Sequence, residues 1–129
     1  MALGTLYNLE IHRGDDRQIT GTVVDENDDA VNITGATLTY VITDQDPSAN
    51  YAQPKKGATA LVTKTVGSGI VLTDAVNGDI RIDLGSGDTV TFTAPKTYYH
   101  EIQIVLSSLT TTIMYGNIVL ARDIIAPGP

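Results

Sequence analysis

The sequence predicts an all-β fold, an immunoglobulin-like β-sandwich of about seven or eight antiparallel strands, with a small jelly roll or barrel as the alternative. Three observations carry this prediction. Apolar residues recur at every second position along most of the chain, Thr, Val, Ile and Tyr dominate those stretches, and Gly, Asn and Asp turn signals cut them at short intervals. No segment presents a helical face. The cysteines and tryptophan of immunoglobulins are absent, so the assignment rests on strand count and spacing.

The first strand is expected at Leu6 to His12. Next comes Arg17 to Asp25, where Ile19, Gly21 and Val23 share a face, and then Ala36 to Asp44, where Leu38, Tyr40 and Ile42 do. Strands at Ala60 to Val66 and Ile70 to Asp74 follow. In Asp79 to Leu84, Ile80, Ile82 and Leu84 alternate with Arg81 and Asp83; further on, His100, Ile102, Ile104 and Leu106 alternate with Glu101 and Gln103. The last strand is placed at Thr111 to Asp123, with Gly116 marking a bulge. The predicted core is Ile19, Val23, Leu38, Tyr40, Ile42, Ile80, Ile82, Ile102, Ile104 and Leu106.

Asn77-Gly78 is the strongest turn signal, because both residues tolerate positive φ; it should join the strand ending near Asp74 to the one starting at Asp79. Gly67-Ser68-Gly69 and Gly85-Ser86-Gly87 read as loops. The longest unpatterned stretch, Asp44 to Gly57, is expected as a surface loop. One domain spans 1–129, with 124–129 as an extended tail, because Pro127-Gly128-Pro129 cannot continue a sheet.

Composition removes whole classes of function. With no cysteine among 129 residues there is no disulfide framework, thiolate metal site or thiol nucleophile. Fifteen acidic residues against eight basic ones give a net charge of -7. That sign is wrong for phosphate backbones and anionic lipid heads, so neither nucleic acid nor membrane is expected as a partner. The N-terminal sequence has neither the basic region nor the apolar run of a signal peptide, and a soluble, unexported product is expected.

The motifs that suggest chemistry are each incomplete. Asp25, Asn27 and Asp29 are spaced like the opening of a calcium loop, but Ala30 stands where that loop needs glycine and Ala36 where it needs a bidentate Glu. A solvated turn is the simpler reading. Arg13-Gly14-Asp15 spells an integrin tripeptide, yet reads better as a turn needing positive φ at Gly14, with Asp15 or Asp16 bonding back to the backbone. His12 and His100, the two imidazoles, lack carboxylates at ligand spacing. Ser68 and Ser86 sit between single glycines rather than in a nucleophile elbow. Asp79 and Asp83 share a strand face, as a glycosidase pair would, but that face is the solvent side if Ile80 and Ile82 face the core. For stacking on sugars, Tyr51 in the long loop and Tyr99 on the polar side of its strand are the aromatic candidates. Asn32-Ile33-Thr34 matches a glycosylation sequon but reads as an edge segment or turn. No catalytic, cofactor-binding or metal-binding residue is expected, nor a small-molecule ligand.

One resemblance reaches further. Arg13-Gly14-Asp15-Asp16, Thr22-Val23-Val24-Asp25 and Val31-Asn32-Ile33-Thr34-Gly35-Ala36-Thr37-Leu38 occur in the order seen in the N-terminal domain of upper baseplate proteins of tailed bacteriophages and their small single-domain relatives. Gly69 to Asp74, Asn77 to Ile82, Asp88-Thr89 and Tyr98 to Ile102 are similar to later strands and turns of that family. The chain departs from the pattern in its first hairpin turn, Glu26-Asn27-Asp28-Asp29, which carries no glycine. The resemblance implies an immunoglobulin-like sandwich in a phage virion, associated with tail or baseplate, made and assembled in the host cytoplasm. It would act by packing against other virion proteins and copies of itself. Head decoration or a connector role is the alternative within the virion, and a carbohydrate-binding module is the alternative of another class.

Overall fold

The computed structural model describes residues 5–49 and 52–122. The alternation of branched and polar residues produces strands almost throughout: β1 (Thr5–Leu6), β2 (Leu9–His12), β3 (Arg17–Thr22), β4 (Thr37–Asp44), β5 (Val62–Val66), β6 (Gly69–Asp74), β7 (Asp79–Leu84), β8 (Lys96–Leu106) and β9 (Leu109–Ala121). A single helical turn, α1 (Ser86–Thr89), lies where the sequence suggested a loop. Its first backbone amide region is held by Asp88, whose carboxylate accepts the Gly85 N–H at 2.7 Å. The expected tail, 124–129, falls outside the described residues, as does Tyr51.

The strands form one hydrogen-bonded path, β1-β9-β8-β4-β5-β6-β7-β3, with β2 continuing along β9 beyond β1. The fold is all-β and nearly barrel-shaped, in keeping with a sandwich or barrel. The pairing is mixed rather than wholly antiparallel. β1 and β2 run parallel to β9, and β5 runs parallel to β6. The second case arises at Gly67-Ser68-Gly69, where Thr65 and Ser68 exchange backbone hydrogen bonds and both glycines take positive φ (85° and 100°). The chain loops once and re-emerges beside itself in the same direction, which passes it from the β4 side of the molecule to the β7 side. Followed through the ladders, β3 runs antiparallel to β9.

The inward residues of these strands make one core. Every predicted core residue is in it except Leu106, which is half-buried against its edge beside the β8–β9 turn. Leu9 and Ile11 of β2, Ile33, Ile70 and Leu84 also belong to it, as do Ala36, Val62, Tyr98, Ile113, Ile118 and Leu120. Burial of this many aliphatic side chains, each worth roughly 1.5–3 kcal/mol, is the main force closing the sheet on itself.

Several local details differ from the sequence reading. The bulge in β9 lies at Ile113, where Ile102 pairs with Met114 but Gln103 pairs with Thr112, and not at Gly116. The extra residue changes the phase of the strand, so Ile113, Gly116, Ile118 and Leu120 are all buried. Gly116 serves another purpose: a Cβ there would run into the Tyr7 carbonyl, so only glycine lets the β1–β2 link cross β9 so closely. Asn77-Gly78 does join β6 to β7, but within a longer turn in which Gly78 alone has positive φ (76°). Its amide donates to the Ala75 carbonyl, and its own carbonyl accepts Val23 N–H at 2.8 Å. The Asp44–Gly57 loop is partly a continued hairpin, with Gln45 bridging Pro54 and Asp46 N–H donating to Gln53.

Candidate functional site

The residues singled out in the sequence are held apart, each by its own structural partners. The Asp25 carboxylate turns into its own backbone, Oδ1 accepting Asn27 N–H at 2.8 Å and Asp29 N–H at 3.0 Å. Asp28 supplies the positive φ (64°) that a glycine would have given this turn. Among the described residues, no group of three His, Asp or Glu side chains could hold a metal ion. Gly14 takes φ 84° and its amide donates to Thr89 Oγ1, while Arg13 reaches inward to the Phe92 carbonyl; the tripeptide is a crossing turn. Asp16 bonds to a distant amide, that of Ser86 at 2.7 Å, rather than to its own turn. Asp79 accepts the Thr22 hydroxyl at 2.6 Å and Asp83 pairs with Arg81 at 2.9 Å, both on the outer face. Asn32 Oδ1 accepts the Thr34 amide and hydroxyl, an Asx turn.

One aromatic assignment changes. Tyr99 is buried rather than displayed, and burial, helped by Glu101, raises its phenol pKa well above the ordinary value. It offers no platform to a sugar. His100 is fully buried between two groups: Nε2 lies 2.8 Å from the Tyr7 carbonyl and Nδ1 lies 2.9 Å from the Tyr40 hydroxyl. A carbonyl can only accept, so Nε2 carries the proton and Nδ1 accepts from Tyr40. Both ring nitrogens are thereby spent on structure, and burial holds the imidazole pKa below its usual value. His12, by contrast, is exposed at the end of β2.

What the fold does build is an open seam. β3 and β1 stand at opposite ends of the sheet path, so among the described residues one edge of β3 pairs with no strand. Across that seam is a cavity of about 190 Å³ whose walls include Tyr7, Ile19, Val23, Ile102, Ile113 and Met114, with Thr20 to Thr22 at its rim. The lining is mainly apolar. Gln18, Thr20, Gly21 and Thr22 are exposed along β3, which has no proline, lysine or bulge to discourage pairing. Open edges in natural sheets usually carry such protection. Farther along, the seam is closed where Arg13-Gly14 crosses from β2 to β3 and where Asp16 grips Ser86.

Periodicity missed the seam because it arises from pairing that does not form. One signal was present: Ile113 is out of phase with Ile118 and Leu120, which betrays the bulge that turns Ile113 into the cavity. Tyr7 had no such signal. No protein-family model matches this chain, and no curated protein matches it either.

Proposed function

We propose that this chain is a structural subunit of a tailed-bacteriophage virion, associated with the tail or baseplate, which works by protein–protein packing and carries no catalysis. The observation that carries the reading is the β3 edge, which no described strand pairs, beside an apolar cavity. An edge of this kind presents unsatisfied N–H and C=O groups, and an assembly can cover them. The order of turn and strand motifs, similar to that of upper baseplate proteins, supplies the virion context. A net charge of -7 supports it physically, since mutual repulsion limits non-specific clumping at the high local concentrations of assembly. Its partners on this reading are other virion proteins and further copies of itself, and it is made and assembled in the bacterial cytoplasm.

Immunogold labelling of purified particles tests this. Label at the tail tip is the expected result. Label spread over the capsid would move the protein to a head-decorating role, and absence from particles would remove the virion reading.

A further inference from the structure

We propose that the seam between β3 and β1 accepts residues 123–126 of a second copy, so that copies join head to tail by strand donation. The inference goes beyond the virion reading and does not depend on which particle holds the protein.

Direction is the first argument. β9 starts at the β8–β9 turn and ends at Ala121, whose carbonyl accepts the Arg13 amide. The cavity lies toward its start, at Ile113 and Met114. β9 therefore carries the chain to the end of the molecule remote from the cavity. At ~3.3 Å per residue, residues 115–121 carry it roughly 23 Å away from Met114, and the next four residues cannot return that far. They can, however, reach the cavity end of a copy stacked ahead on the same axis. Entering there along the direction of β9, they run antiparallel to β3, the orientation its free edge needs for a ladder.

Side-chain chemistry is the second. The sequence after Arg122 is Asp-Ile-Ile-Ala-Pro-Gly-Pro. In an extended segment Ile124 and Ala126 share a face, so pairing with β3 presents one branched aliphatic side chain and one methyl to the cavity. At about 190 Å³ the space is larger than the ~150 Å³ engineered cavity that takes up benzene. Pro127 has no N–H to offer and ends the ladder after about four residues, and the run beside the cavity, from Ile19 to Val24, is comparably short. Such a contact joins two different surfaces, so it propagates as a ring or filament rather than closing as a two-fold dimer.

Because the chain has no cysteine, every disulfide of a Thr22→Cys, Ile125→Cys double variant joins introduced positions, and peptide mapping separates 22–125 links from 22–22 and 125–125 links. Oxidation should give a ladder of covalent oligomers, and an equimolar mixture of the two single variants should give covalent dimers. Pairing Val71→Cys, exposed on the outer face of β6, with Ile125→Cys should give none. Thr20→Cys replaces Thr22→Cys if the latter fails to fold. Removing residues 123–129 leaves every described strand in place; sedimentation velocity should then show self-association weakened at least tenfold, with the circular dichroism spectrum unchanged. No dimer from the mixed single variants, a cross-link confined to one copy, or undiminished self-association after truncation would each overturn the proposal. A ladder from a protein missing from purified particles would remove the virion reading alone, whereas particles containing the protein without a ladder would remove this proposal alone.

Discussion

His100 and Gly116 sit opposite each other on β8 and β9, and both are shaped by the same intruder, the Tyr7 backbone. The imidazole holds the Tyr7 carbonyl, and the missing Cβ of Gly116 makes room for it. Gly116→Ala should therefore destabilise the protein by about 1–3 kcal/mol, the usual cost of overpacking a closed site, readable as a lower denaturant midpoint. His100 makes stability depend on pH. Its pKa is lowered in the folded state by burial, so above the unfolded value of ~6.5 both states are neutral and the native pairing is intact. As pH falls below that value the unfolded chain takes up a proton that the folded chain resists, and stability declines until the folded pKa is passed. Urea melts at pH 7.5 and pH 5 should show this loss, and His100→Gln should reduce the difference between them. An unchanged difference would place the pH effect on the carboxylates.

Among the elements, the β8–β9 hairpin is the least expected. Its connection is the two-residue turn Ser107-Ser108, with φ of 51° and 67°, between the paired Leu106 and Leu109. This is the left-handed geometry that two-residue hairpins require and that Asn-Gly satisfies best. Replacing Ser107-Ser108 by Asn-Gly should raise stability by about 1 kcal/mol, since side chains other than glycine pay roughly that much in the left-handed region. A thermal melt that moves downward would show that the serines bring a compensating contact. The Asn77-Gly78 turn teaches the converse. There the signal is strong, yet Gly78 is needed because the Val23 and Val31 carbonyls close in on it, 2.7 and 2.8 Å from where a Cβ would stand. Local turn chemistry predicted the residue type, and tertiary crowding is what enforces it.

For the molecule as a whole, the core is a single cluster spanning both halves of the curled sheet, so a cavity at its centre is felt everywhere. Ile104, fully buried on β8, should cost about 2–5 kcal/mol when cut to alanine. A cost near zero would mean that the register of β8 against β4 and β9 is wrong. The same closure leaves the seam at β3, where the first and last strands of the path do not meet, and places there the surface on which the proposed function depends.

Strand identity and inward faces were legible in the sequence because each depends on spacing along a single strand. Ile80, Ile82, Ile102 and Ile104 had only one face available once the period of two was recognised. Even the solvent-facing placement of Asp79 and Asp83 followed from that alternation. What only the tertiary structure decided lies between strands remote in sequence. Tyr99 looked exposed by alternation yet is buried, since period assigns a face and cannot say what lies over it. Parallel pairing of β1 and β2 with β9, the Tyr7–His100–Tyr40 chain and the cavity beside β3 each join segments far apart along the chain. Local pattern carries no information about such separations: they are set by which edges pair as the sheet curls, and the edge left over is a property of the closed fold.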